Sequence, residues 1–379
     1  MIGRESLKGY LLEEILAYLI RNTGYNLLVD PSQDQRELDK RGNGLVVKGR
    51  GADHQVDVLG QLKWVPAFTF PLRLFVEAKC RSVRTGIGEI RNAVGVLDDI
   101  NQNYSPVREG KGILPRYTYR YALFSTSGFT STAADMALAH QISLVDLSGT
   151  DFLDLRDLLD NLANWILTQL RVTSLSNNSE SDEDSDSNEP EENIRGRESH
   201  NLIRLLRMHI RTVLGTWPLG QALVERENDY LYSRIPNLAE FNDLITNQME
   251  RFGEFFVGMS NGPFLLLLRS HNPKSFLRYC DENPVHKVSI TWTRQDGLER
   301  QWNIKPLTNP ETYSLSFGLP KSIGDWIFDN ESLTVERALN VKEQFMSNIT
   351  IYRFDQERDI IIRLLFNIRD IDNIDGLWA

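Results

Sequence analysis

The stretch Gly51-Ala52-Asp53-His54-Gln55-Val56-Asp57-Val58-Leu59 and the later run Leu72-Arg73-Leu74-Phe75-Val76-Glu77-Ala78-Lys79-Cys80-Arg81 decide how the first half of the chain reads. Leu72 to Val76 is an apolar run of strand length. Residues two apart in a strand share a face, so Glu77 and Lys79 project together while Val76 and Ala78 face the other way. Asp57 sits between Val56 and Val58 in a second strand-like run, Gln55 to Leu59. A carboxylate without a partner is costly in such a place. Two carboxylates meeting there would repel unless a divalent cation lay between them. Gln55, two residues before Asp57, is expected on the same strand face, within reach of a metal-bound water or a phosphate.

That arrangement suits phosphodiester hydrolysis. Mg2+, with Mn2+ as the alternative, takes carboxylate and water ligands. Such an ion can hold the scissile phosphate, acidify a bound water and stabilise the leaving oxygen. A lysine beside it can orient or help deprotonate the water and offset charge on the phosphorane. As spacing alone, Asp…Glu-x-Lys also occurs in salt-bridged surface strands, and the surroundings must decide.

Those surroundings alternate helix and strand. Leu11, Leu12, Ile15, Leu16, Leu19 and Ile20 form one apolar stripe at helical spacing, and Gly24 can end that helix. Strands are expected at 44–47, 55–59, 72–79, 120–125 and 142–147, and helices at 87–100 and 130–140. The last two strands straddle a helix and predict a parallel βαβ unit. Leu153, Leu158, Leu159, Leu162, Trp165, Ile166 and Leu170 predict one more helix.

With these elements in order, the chain resembles the Mrr-like branch of the PD-(D/E)xK nucleases over about its first 165 residues. Gly9-Tyr10, Glu13-Glu14 and Gly24-Tyr25 look like the opening helix of that family, which commonly brings a glutamate near the metal. Tyr121 to Thr130, followed by Ala133, Ala134 and Ala137, looks like its strand–turn–helix, and Ile142 to Leu147 like the strand that closes its core. The resemblance implies a restriction-endonuclease-like α/β core, a mixed sheet flanked by helices. It implies Asp57 and Glu77 as ligands of Mg2+, Lys79 at the attacking water, double-stranded DNA as substrate, and a role in restriction or anti-phage defence. On a helical projection Glu13 falls at the edge of the apolar stripe and Glu14 nearly opposite its centre, so of the two Glu13 is the one expected to reach inward to the site and Glu14 to be solvated, the alternative being a pair of surface glutamates. His54 could contact DNA, but a loop histidine at a strand start reads more readily as structural or solvated, and Thr130 reads as a helix cap.

Composition frames the rest. No apolar run is long enough for a membrane span, and the opening residues lack a signal-peptide layout. Cys80 and Cys280 are too few for a disulfide framework or a Cys-rich zinc site. The expected setting is therefore reducing and cytoplasmic. The formal net charge is −10, yet residues 36–120 carry 15 basic against 9 acidic side chains, a local surface fit for phosphates. Much of the negative charge lies in 173–199, a low-complexity acidic segment that reads as a disordered linker. The expected domains are 1–172, a nuclease, and 200–379, an α+β recognition or regulatory domain. The latter includes a hairpin turning at Asp296-Gly297.

Three functions fit. The first is a metal-dependent endodeoxyribonuclease, expected as a homodimer because cutting both strands usually takes two sites. The second is a defence effector whose nuclease is released by a small-molecule or protein activator sensed by the C-terminal domain. The third is a nucleic-acid-binding protein without turnover, against which the intact Asp57, Glu77 and Lys79 argue.

Overall fold

The apolar stripe of the first helix forms α1 (Arg4–Asn22), and Gly24, at φ 82°, takes the left-handed conformation just past its end. The structure, a computed structural model, describes residues 3–370 apart from 43, 66–68, 104–116, 179–190, 217–224, 236, 253–254, 263–264, 294–300, 320 and 355–358. The chain gathers into two compact units, Met1–Tyr18 with Phe152–Arg251 and Leu19–Asp151 with Phe252–Ala379. Both units run across the acidic segment at which the sequence suggests a boundary.

The second unit opens with β1 (Tyr25–Leu28), β2 (Leu38–Arg41), β3 (Gly44–Lys48), β4 (Asp53–Val56), β5 (Val58–Leu62), β6 (Leu72–Lys79), α2 (Ile87–Asn101), β7 (Thr118–Ser125), α3 (Ser131–Ala139) and β8 (Ser143–Asp146). One sheet has the order β1-β5-β6-β7-β8, and a second has the order β2-β3-β4. Pairing is antiparallel from β1 through β6 and parallel from β6 to β8. The expected β7-α3-β8 unit is therefore present, with Thr130 capping α3 by accepting from the Ala133 N–H. Phe75, Tyr121 and Leu123 join Ile90, Ala93 and Ala133 in one core, so α2 and α3 cover this face. The single strand expected over Gln55–Leu59 is a correction. It breaks at Asp57 into β4 and β5, which belong to different sheets.

The first unit joins the start of α1 to α4 (Leu153–Asn178), α5 (Glu191–Val213), α6 (Glu225–Arg234) and α7 (Leu238–Phe252). Residues 173–178 and 191–199, expected in a disordered linker, continue α4 and begin α5. The rest of that segment lies outside the described residues. Arg4 and Lys8 of α1 pair with Asp160 of α4 at 2.5 and 2.9 Å. Trp165 of α4 packs on Phe241 of α7, and Arg204 of α5 pairs with Glu227 of α6.

The chain then adds β9 (Phe255–Met259), β10 (Leu265–Ser270), α8 (Pro273–Glu282), β11 (Val285–Thr293), β12 (Gln301–Pro306), β13 (Leu315–Phe317), α9 (Lys321–Phe328), α10 (Thr334–Phe345), β14 (Asn348–Phe354) and β15 (Asp359–Leu365) to the second unit. The seven strands close into a barrel in the order β10-β13-β12-β11-β15-β14-β9. The expected hairpin is the antiparallel pair β11–β12; its Asp296-Gly297 turn lies outside the described residues. Closure itself, through β9–β14 and the parallel pair β11–β15, goes beyond the α+β reading. Trp302 and Ile304 of β12 and Leu315 of β13 pack in one core with Ala338 and Val341 of α10. Lys342 of α10 is buried there between the rings of Trp302 and Phe366, 5.7 and 5.8 Å from its Nζ. Burial lowers its ammonium to about 8. Among the described residues no helix is long and apolar enough to cross a membrane.

Gly24 answers to two demands at once. Its φ disfavours any side chain, and an added Cβ would stand 2.5 Å from the Tyr352 Cβ. Gly24→Ala is expected to cost on the order of 2 kcal/mol, read as a lower denaturation midpoint with an unchanged slope.

Candidate active site

Why the strand breaks at Asp57 follows from its side chain. A carboxylate cannot sit in a ladder between Val56 and Val58 without a donor. Here it turns onto β6 and accepts the Ala78 N–H at 2.8 Å. In the β5–β6 register Val58 faces Val76 and Leu59 faces Phe75. One step further along, Asp57 stands opposite Glu77, on the face that Phe75, Glu77 and Lys79 share. The two-residue alternation read from the sequence therefore holds for Glu77 and Lys79.

Each side chain of that face has partners. Lys79 Nζ pairs with Glu77 Oε1 and lies 3.5 Å from Glu89 Oε2 of α2. The other Glu89 oxygen takes the Arg81 guanidinium at 2.7 Å. Tyr121 of β7 donates its hydroxyl to Glu77 Oε2. All of these side chains except that of Arg81 are buried or half-buried. Burial, reinforced by the charges of Glu77, Asp57 and Glu89, pushes the Tyr121 hydroxyl upward, which keeps it a donor. For Lys79 burial acts downward, but the hydrogen bond and charge of Glu77, with the charge of Glu89, outweigh it and leave the ammonium above its usual value. Burial would likewise raise Glu89, but Arg81 and Lys79 hold it below the ordinary carboxylate range.

Backbone lacing fixes the segment between Lys79 and α2. Thr126 N–H donates to Lys79 O at 3.0 Å, Ser127 Oγ to Val83 O at 2.6 Å, and Thr85 N–H to Gly128 O at 2.9 Å. This ties the exit of β6 to the turn after β7 and brings the first turn of α2 over Lys79. Neither Tyr121 nor Glu89 stood out in the sequence as a site residue. Tyr121 reads as one strand residue among several, and an acid in the first helical turn reads as a complement to the helix dipole.

The other expected residues are placed differently. Because β4 ends at Val56, no continuous strand carries Gln55 and Asp57 on a common face. Gln55 is exposed and packs over Gly44, where a Cβ would come within 2.7 Å of its Cδ. His54 is structural, as expected. Its Nε2 lies 2.7 Å from Asp99 Oδ2 of α2, and the same carboxylate accepts the Gly51 and Ala52 N–H groups. The hydrogen bond from His54, followed by those two N–H groups, holds Asp99 below its ordinary value.

The early glutamates belong to the first unit, and Glu14, expected to be solvated, is buried there. Glu14 is 1% exposed and receives Arg207 Nε and Arg211 Nε of α5, each at 2.7 Å. Glu13, partly exposed, pairs with a terminal guanidinium nitrogen of Arg207 at 2.6 Å. The reason is that α1 is covered on more than its apolar stripe. α5 lays two arginines on the side that the sequence of α1 alone marks as solvated. Burial acts to raise Glu14, but Arg211 and Arg207 more than offset it and hold the group below 4.5.

As a cation site, Asp57 and Glu77 offer two oxygen donors on one face. Among the described residues no group of three or more His, Cys, Asp or Glu side chains is gathered to hold a metal. Two carboxylates completed by water are a donor set that Mg2+ accepts. No family model, characterised protein or solved structure matches the chain.

Glu14→Gln would leave two half-buried guanidiniums under-compensated from a buried position, at a cost of about 3 kcal/mol. A carboxylate whose folded value lies below 4.5 contributes fully above that pH, and its contribution is lost as pH falls through the folded value. Unfolding curves of the two proteins should differ most at pH 7 and converge in acid.

Proposed function

We propose that this chain is a metal-dependent endonuclease of the Mrr-like PD-(D/E)xK kind, acting on double-stranded DNA. The observation that carries the reading is the junction of β5 and β6, where Asp57 stands opposite Glu77 and Lys79 follows on the same face. The mixed sheet, antiparallel into β6 and parallel beyond it, supports the resemblance drawn from the sequence, since it puts the three motif residues at one strand junction.

Asp57 and Glu77 would hold Mg2+ or Mn2+, which when bound supplies an acidified water and a counter-charge for the phosphate. The Ala78 N–H fixes the orientation of Asp57. The Tyr121 hydroxyl holds the other side of Glu77, on Oε2, which limits how far that carboxylate can turn. Lys79, paired with two carboxylates, serves as a charged donor to the water and to the phosphorane. The basic side chains of 36–120 would meet the DNA backbone. Glu13 comes to this reading by family resemblance alone, and Gln55 as an exposed contact. A homodimer would supply the second active site for the other strand, and the barrel-bearing C-terminal part would choose or license the target.

With supercoiled plasmid and Mg2+ or Mn2+, the wild-type chain should nick or linearise DNA. Lys79→Ala should lower the rate by at least about a hundredfold with DNA binding retained. Asp57→Asn should abolish cleavage and weaken the metal dependence. A Lys79→Ala protein that cuts at the wild-type rate would falsify the assignment. Cutting only after addition of cell extract would identify an effector under an activator, and no cutting in any condition a binding protein.

A further inference from the structure

Resting on the nuclease reading, the geometry points to Glu89 as a positioning residue that keeps Lys79 in place while Glu77 is given over to a cation. In the resting arrangement the Lys79 ammonium is shared. Glu77 of its own strand takes one side of it, and Glu89 of α2, at 3.5 Å, takes another. Glu77 thus stands between two claims, since the carboxylate that would bind a divalent cation already carries an ammonium. A cation arriving at Glu77 must displace Lys79 from it. Without a second acceptor the half-buried ammonium would be left with no carboxylate on its own face, and keeping it on Glu77 would oppose metal binding.

Glu89 supplies that second acceptor. It is itself held by Arg81 at 2.7 Å, and the lacing of 79–85 to 125–128 sets the start of α2 over the end of β6. Among the described residues the charged groups acting on Lys79 are Glu77 on β6, Glu89 on α2 and Arg81 just beyond β6, with Tyr121 on β7 and Asp57 before β5 next to Glu77. Of these, Tyr121 and Asp57 are engaged with Glu77 and Ala78. Glu89 is the acceptor on the helix side, and its role runs through Lys79 rather than through the substrate.

The test is a double-mutant cycle on Mn2+ binding by the full chain without DNA, followed by electron paramagnetic resonance. Glu89→Gln keeps shape and removes charge, and should weaken Mn2+ binding about tenfold by returning Lys79 to Glu77. Lys79→Gln removes the competing ammonium. In that background Glu89→Gln should have little further effect, because residues that act through one another are not additive. An equal loss in both backgrounds would show that Glu89 acts independently of Lys79, and no loss with Lys79 present would show that it does not act at all. Either result overturns the inference and leaves the nuclease reading standing. A wild-type chain that takes up no Mn2+ at millimolar concentration removes that reading, and this inference with it. Matching far-ultraviolet circular dichroism of the four proteins excludes misfolding as the source of any loss.

Discussion

One hydrogen bond organises the second unit: the Ala78 N–H held by Asp57 at 2.8 Å. It is made at the point where the chain leaves one sheet and enters another. A polar side chain that would be a defect inside a strand becomes the joint between two strands. Because the donor belongs to β6, the joint also sets Asp57 against Glu77. Site and architecture therefore share one cause, and disturbing either disturbs the other. The lacing on the far side of β6 does the same for Lys79 and Glu89.

The chain holds its buried and half-buried cations in three distinct ways. Arg207 and Arg211 are matched by the carboxylate of Glu14, with Glu13 taking the remaining face of Arg207. Arg73, 1% exposed, pairs with Asp34 at 2.5 Å and lies against the Tyr117 ring, 3.3 Å from its centroid. Lys342 lies over the rings of Trp302 and Phe366, and burial lowers its ammonium. Desolvation costs a charge several kcal/mol, and what differs is whether an anion or a ring offsets it. The arginines meet carboxylates, whereas burial alone acts on the lysine of α10 and lowers it.

What could be read from the sequence was whatever depends on neighbours a few residues away. The shared face of Glu77 and Lys79, the parallel β7-α3-β8 unit, the Thr130 cap and the paired strands of the β11–β12 hairpin follow from local periodicity and local hydrogen bonding. What could not be read depends on remote partners. Glu14 is buried because arginines 193 and 197 residues away cover it, and a helical projection of α1 alone contains nothing of them. The break at Asp57 was half legible, since the cost of a carboxylate between valines was plain while its donor, the backbone of Ala78, was not. Glu89 and Tyr121 acquire meaning only once α2 and β7 lie beside β6. Of the barrel, the β11–β12 hairpin has a local signal in its Asp296-Gly297 turn, but closure by β9 on β14 leaves none.

Those remote partners impose an order in time. Arg207 is synthesised long after Glu14, and β14, which closes the barrel against β9, later still. Until then a nascent chain displays the carboxylate of α1 without its arginines, together with open strand edges ready to pair with other chains. Contacts so distant along the chain are slow to form, and such intermediates are prone to aggregation. Neither compact unit is complete in the first half of the chain. Both units therefore wait for contacts between distant parts of the chain, and until those form the exposed strand edges are open to other chains.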